Sequence, residues 1–331
     1  MTAPGPHPDG GQRRRERDGI TVPPARFQSY YGRPIIKAPV WRWDIPAYLF
    51  TGGLAAGTAM LAAGADLTDR PALRRSSRLA ALGAVGASTY FLIHDLGRPE
   101  RFHHMLRVAK PTSPMSVGTW ILAAFGPAAG AAAVSEFASW LPQRGPLGLV
   151  RRVLPPAGRA AGVASAVVAP ALATYTGVLL ADTAVPSWHD AYPYLPFVFS
   201  GSALAGATGL GLIATPTAEN RPVRRLAVVG AGIELVAGRR VERMGLTSEP
   251  YHTGPAGLLL RAGRALLVAG TVGAVLGRRS RIVSALSGAA LLASSAMTRF
   301  AVFQAGLTSA RDPRYTVVPQ RERRDREKAP H

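Results

Sequence analysis

Eight apolar runs, at residues 45–67, 77–96, 117–140, 159–181, 194–215, 223–240, 255–277 and 282–306, constrain this chain more than any other feature. Each approaches the roughly 20 residues that a helix needs to cross a hydrocarbon core about 30 Å thick. A segment in lipid must satisfy its own backbone hydrogen bonds, and runs this long and continuous do so as helices. The expected fold class is all-α: a polytopic membrane protein, with a bundle of eight transmembrane helices over residues 41–306. Disordered basic tails are expected to flank the bundle. Residues 1–40 read as a flexible arm without the apolar core of a signal peptide, and residues 307–331 as a basic C-terminal tail. These tails and the basic connectors hold the mean hydropathy down to +0.11. The sixth run is the weakest, being short and carrying Glu234 near its middle.

Within the runs Gly, Ala and Ser recur at spacings of three and four, as in "GGLAAGTAMLAAGADL" and "SGSALAGATGLG". Such faces let helix backbones approach closely in lipid, where tight packing replaces the hydrophobic effect as the cohesive force. The net charge of +20 is carried mainly by tails and short connectors, positions suited to anionic membrane lipid rather than to nucleic acid. The chain has no cysteine, so it forms no disulfide, thiolate metal site or iron–sulfur cluster of its own. Axial haem ligation needs paired histidines within spans. Here His94 stands alone at a helix end, while His103, His104, His189 and His252 lie in connectors or at interfaces. Neither haem nor another metal is expected in this chain.

An even number of spans puts both termini on one side, face A. That face also holds "VWRWDIPAYLF" entering the first helix, "HDLGRPERFHHMLRVAKPTSPMSVGTW" between the second and third, "TYTGVLLADTAVPSWHD" leaving the fourth and "TRFAVFQAG" closing the eighth. Face B is left with short basic connectors such as "DRPALRRSSR" and "LGRRSRI". Short connectors weigh most in setting orientation, so face B is expected to be cytoplasmic and face A, with the termini, external.

On face A, aromatic rings stand next to hydrogen-bonding groups. Trp41 and Trp43 read as an interfacial belt. Tyr48 and Tyr175 lie a turn or more inside their spans, where a buried hydroxyl needs a partner. A quinone headgroup, a flat apolar ring with two carbonyls, suits such a site, and its two-proton chemistry needs a relay of titratable groups. Asp44, His94 and Asp95 are candidates for that relay. Glu234 is an intramembrane carboxylate, which is expensive and commonly functional. Glu136, Asp66 and Asp182 fall near helix ends, where contact with water is the ordinary expectation, although Glu234, Asp66 and Asp182 are further candidate proton stations.

The succession "WRWDIPAYLFTGGLAAGTAML", "DLGRPERFHHML", "KPTSPMSVGTWIL", "YTGVLLADTAVPSW" and "RFAVFQAG" resembles the NrfD/polysulfide reductase membrane-subunit family from Trp41 to Gly306. The resemblance implies an eight-helix, haem-free, quinone-binding anchor in the plasma (inner) membrane of a prokaryote. It also implies two partners, a ferredoxin-like iron–sulfur subunit and a molybdopterin catalytic subunit, with electrons passing between the partner's cluster and menaquinone or ubiquinone at face A. By the same resemblance, Tyr175 in "TYTG" is the quinone-contacting tyrosine of the fourth helix. Ile45 and Tyr48 stand where a polysulfide reductase subunit has Asn and His. A phenol near pKa 10 is a poorer proton relay than an imidazole near roughly 6.5. Proton delivery then shifts to His94 and Asp95, with Arg98 beside them. Arg299, a further proton-relay candidate, matches a basic position in the family's last helix, where it orients a carboxylate, stabilises a semiquinone or snorkels to the interface.

These features specify a non-catalytic or quinone-reactive subunit of an oxidoreductase complex, with Arg101 through Lys110 as the surface that docks a partner. A proton- or solute-translocating transporter without a redox partner is the alternative. Glu234 and Glu136 keep it open, and the absence of a clear repeat between halves weighs against it. A purely structural anchor is a third reading.

Overall fold

The computed structural model describes residues 35–328, and among them every regular element is helical. Eight long helices follow the eight apolar runs: α1 Asp44–Leu67, α2 Pro71–His94, α3 Pro114–Ser135, α4 Gly145–Ala181, α5 Leu195–Ala214, α6 Arg221–Val241, α7 Gly254–Leu276 and α8 Arg281–Arg311. A ninth, α9, covers Arg314–Lys328. Six of them (α1, α3, α4, α5, α7 and α8) are long and apolar enough to cross a membrane by themselves. A seventh span is counted if α2 is joined to the 3-10 helix Pro99–Leu106, to which it is bent by 108°. The remaining helix, α6, has arginines near both ends and buries Glu234 against its neighbours.

Small residues set the helix crossings, as their spacing requires. A Cβ on Gly209 in α5 would strike the carbonyl oxygen of Gly288 in α8, and the reverse substitution would strike Gly209. Gly57 in α1 meets α5 the same way, 2.6 Å from the Ala203 carbonyl oxygen for an added Cβ. Among the membrane-length helices, α1 and α5 are the most enclosed and α3 and α7 the most peripheral.

Two boundaries differ from expectation. The fourth apolar run begins at residue 159, yet α4 begins at Gly145 and runs through the Pro155–Pro156 pair. Both prolines are exposed on a part of α4 that precedes its apolar run, where carbonyls freed by the missing N–H donors can be hydrated. At the other end, α8 continues to Arg311, and the tail is helical from Arg314 to Lys328. Tyr315 is buried and Arg314 reaches both the Tyr315 hydroxyl, at 2.6 Å, and Glu249, at 2.7 Å, fixing the start of α9. The flexible arm expected over residues 1–40 lies outside the described residues up to residue 34, as does the tail beyond residue 328.

The connectivity puts the start of α1 and the end of α8 on face A. Face B is more than a set of basic connectors. Glu136, at the end of α3, accepts from Arg74 Nε and Arg78 NH1, each at 2.8 Å. Asp66, at the end of α1, lies 3.4 Å from both of these guanidinium groups and 3.3 Å from Arg159 on α4. Glu136 and Asp66 are therefore shielded carboxylates, their side chains 5% and 9% exposed, rather than the hydrated ones their helix-end positions suggest. This cluster joins the end of α1, the start of α2, the end of α3 and the interior of α4 around a cavity of about 370 Å³.

Candidate functional site

Four helix ends build the site on face A: the start of α1, the end of α2, the start of α3 and the end of α4. α3 starts at Pro114 with Ser113 as its cap, whose hydroxyl accepts from the Ser116 N–H at 3.5 Å. One turn on, Gly118 presents bare backbone, and the ring of Tyr175 from α4 lies in the space that a Cβ there would fill. Tyr175 is 7% exposed, and its hydroxyl is buried with no hydrogen-bond partner. An aromatic hydroxyl in that state is either strained or waiting for a ligand.

Two cavities share Tyr175. The smaller, about 70 Å³, is lined by Tyr48 and Ile45 from α1, Asp95 at the end of α2, Met105 from the 3-10 helix, Thr119 from α3 and Tyr175. The larger, about 740 Å³, is a cleft between α3 and α4 with Val117, Ile121, Ala171 and Val178 on its walls and Asp182 and His189 at the face A end. Val117 and Val178 are exposed, so the cleft opens to the outside of the bundle. Its size falls within the roughly 300–1,000 Å³ of small-molecule sites.

The structure thus brings Tyr48, Asp95 and Tyr175 to one cavity. His94 stands outside it with its side chain 53% exposed, stacked on Tyr90 and 3.0 Å through Nδ1 from the carboxylate of Asp44. Asp44 is itself buried, so this pair runs from the surface to the inside of α1. Asp95 caps α2 and is half-buried. Burial pushes its carboxyl above the usual aspartate range and nearby Asp44 adds to this, while the backbone and charge of Arg42 and the neighbouring His94 oppose it. Arg98 is exposed and lines neither cavity, and Asp182 is exposed at the cleft mouth.

A second polar centre lies deeper. Arg299 on α8 has no exposed surface, so it does not snorkel. One of its NH groups donates to the Phe199 carbonyl at 2.6 Å, another approaches the Thr176 hydroxyl at 3.5 Å, and its guanidinium lies 3.8 Å from the Phe199 ring centre. Gly53 makes room for it, since a Cβ there would sit 2.8 Å from the guanidinium. Glu234, on α6, accepts from Thr298 at 2.7 Å. Glu234 Oε2 and Arg299 Nε are buried and unpaired. Thr176 follows Tyr175 on α4, so one turn of α4 sends neighbouring side chains to the two centres.

Trp188 carries part of this architecture. It is fully buried, donates from Nε1 to the Val302 carbonyl at 2.7 Å, and stacks on Trp41 with ring centres 6.0 Å apart. Trp43, 57% exposed, fits an interfacial belt. Trp41 does not, because it is partly buried against Trp188 and lines the smaller cavity.

The family described as Polysulphide reductase, NrfD, matches residues 35–234, more than half of the chain. The chain belongs to the NrfD family. Among curated proteins, it is 31% identical over 185 residues to the polysulfide reductase C subunit of Wolinella succinogenes, an alignment covering 53% of this chain and 58% of that one. It is 30% identical over 194 residues to protein NrfD of Escherichia coli strain K12, covering 53% of this chain and 59% of that one. The chain therefore spans less than two thirds of the length of either relative. The NrfD match reaches from before α1 to Glu234 and includes Asp44, Tyr48, His94, Asp95 and Tyr175; Arg299 falls beyond it. Together with its apolar helices, it makes this NrfD-family chain a multi-pass membrane protein.

Proposed function

We propose that this chain is the quinone-reactive membrane subunit of an oxidoreductase, passing electrons between a partner's iron–sulfur cluster and the quinone pool. The observation that carries this reading is the Tyr175 hydroxyl, buried and without a partner on the wall between two cavities. A bound menaquinone or ubiquinone would supply a two-electron, two-proton couple. Residues of the chain fit such a group. The cleft between α3 and α4 offers apolar walls to a ring and tail entering from the bilayer, and Gly118 lets Tyr175 lie flat against α3. Tyr175 and Tyr48 are the hydroxyls available to carbonyls. Asp95, in the smaller cavity, is the group suited to hold a proton, and the Asp44–His94 pair beside it reaches solvent.

The segment above this site suits a redox partner. None of the residues in the 3-10 helix Pro99–Leu106 is buried. Arg101, Arg107 and Lys110 stand exposed beside exposed Phe102, Leu106 and Val108. Met105 on this helix lines the smaller cavity, so a subunit docked there, iron–sulfur or through it molybdopterin-dependent, would sit over Tyr48 and Asp95.

The test is Tyr175→Phe in the assembled complex. Quinone-linked turnover and binding of a quinone analogue should both fall, while the catalytic partner still reduces an artificial dye. Unchanged quinone turnover and analogue binding would overturn the site.

A further inference from the structure

We propose that a groove on face B, between the first turns of α6 and the last turn of α7, binds the phosphate of an anionic diacyl phospholipid. The groove holds about 320 Å³ and is lined by Arg221, Arg224, Arg225 and Arg278 above Val228 and Val275. Among the described residues, none of these four arginines makes an ion pair with a carboxylate. The acid closest in sequence, Glu219, points elsewhere, accepting from the Ala72 and Leu73 N–H groups at the start of α2.

Arg224 is held rather than free. It donates to the Arg278 carbonyl at 2.9 Å and the Thr217 carbonyl at 3.3 Å, while its Nε is buried without a partner. Arg221, Arg225 and Arg278 are exposed around it. Four guanidinium groups gathered in one groove repel one another, and flexible side chains would spread apart unless an anion offset that repulsion. Guanidinium forks match phosphate oxygens two at a time, and the positive end of α6 adds to the same field.

The floor of the groove selects a lipid over a free ion. Below the arginines, Val228 and Val229 on α6 and Val268, Val272 and Val275 on α7 are each between 38% and 50% exposed. They form an apolar strip leading from the arginines toward the interior of the bilayer, which a phosphate ion would leave bare and acyl chains would cover. Basic pockets between membrane helices bind anionic headgroups in this way. Such a lipid would also neutralise the end of α6 that is too polar to count as a span by composition.

The full chain, purified with whatever subunits it retains, is placed in nanodiscs of phosphatidylglycerol or of phosphatidylcholine with the same acyl chains, and lipid carried into the gas phase is measured by native mass spectrometry. Phosphatidylglycerol should be retained and phosphatidylcholine lost. The double substitution of Arg221→Gln with Arg225→Gln, at exposed positions that leave Arg224 in place, should weaken retention about fivefold for each arginine removed. A control pair on the same face, Arg144→Gln with Arg152→Gln, should leave retention unchanged. Equal retention of both lipids, or equal losses in the two double variants, would overturn the proposal. So would displacement of the lipid by millimolar inorganic phosphate, which would reveal a free-anion site.

Discussion

The ring of Tyr175 occupies the space that a side chain on Gly118 would need. An added Cβ would overlap the ring edge, with Cδ2 at 2.7 Å, so Gly118→Ala must turn the ring or separate α3 from α4. Overpacking of this kind typically costs about 1–3 kcal/mol. Gly126, on the same helix, has nothing within 4 Å of an added Cβ, and Gly126→Ala supplies the contrast. The unfolding midpoint in detergent should drop for Gly118→Ala and stay near wild type for Gly126→Ala, with quinone-linked turnover falling only in the first. Equal behaviour of the two variants would show that the Tyr175 ring has room to move.

How much of this was legible in the sequence depends on whether a feature lies along one helix or between two. The eight helices were legible, because apolar length and backbone satisfaction act within each segment, and α1, α5, α6 and α7 begin and end within a few residues of the runs that announce them. Counting turns from a helix end was enough to put Tyr48 and Tyr175 just inside face A. Pairings between helices were not legible. Nothing in "SVGTW" reveals that Gly118 faces Tyr175, nor in "SWHD" that Trp188 donates to Val302 in a helix more than a hundred residues away. Glu136 illustrates the same gap, reading as solvated until Arg74 and Arg78 are brought to it by another helix. For Arg299 the snorkelling reading falls only when α5 brings the Phe199 carbonyl to it.

Asp95 gives the site a pH dependence whose sign can be worked out. Its folded-state pKa lies above its ordinary value of 3.8, so the folded protein binds this proton more tightly than the unfolded chain does. Stability from this group is therefore greatest below that value and is lost as pH rises from it through the folded pKa. Asp95→Asn removes this dependence. The difference in unfolding midpoint between wild type and Asp95→Asn should widen in favour of the variant as pH rises through the carboxylate range. A gap that is constant across that range would show that Asp95 is not raised.

The face B cluster separates two kinds of ion pair. Glu136 is shielded and shared by Arg74 and Arg78, whereas Arg159, with its side chain 70% exposed, meets Asp66 from the outside. Removing one member of a buried pair leaves uncompensated charge and costs about 3–5 kcal/mol, while an exposed pair is worth about 0–1 kcal/mol. Glu136→Ala should thus lower the unfolding midpoint sharply and Arg159→Ala hardly at all. Equally small shifts in the two variants would show that the cluster is hydrated throughout.

Trp188 joins the connector before α5 to α8 by one hydrogen bond and a tight fit, and two substitutions divide these contributions. Trp188→Phe keeps an aromatic ring between Trp41 and Phe303 but removes the donor to the Val302 carbonyl. A lost buried hydrogen bond should cost about 1–2 kcal/mol. Trp188→Ala also empties the space beside Gly306, where an added Cβ would overlap the indole, and large-to-small changes at buried tryptophan cost about 3–5 kcal/mol. Because Trp41 stacks on Trp188 and lines the smaller cavity, Trp188→Ala should also loosen the wall beside Tyr48. Chemical denaturation should rank wild type above Trp188→Phe and Trp188→Ala last, with quinone-analogue binding weakened most in Trp188→Ala. If Trp188→Phe were as damaging as Trp188→Ala, the hydrogen bond rather than the packing would hold face A together.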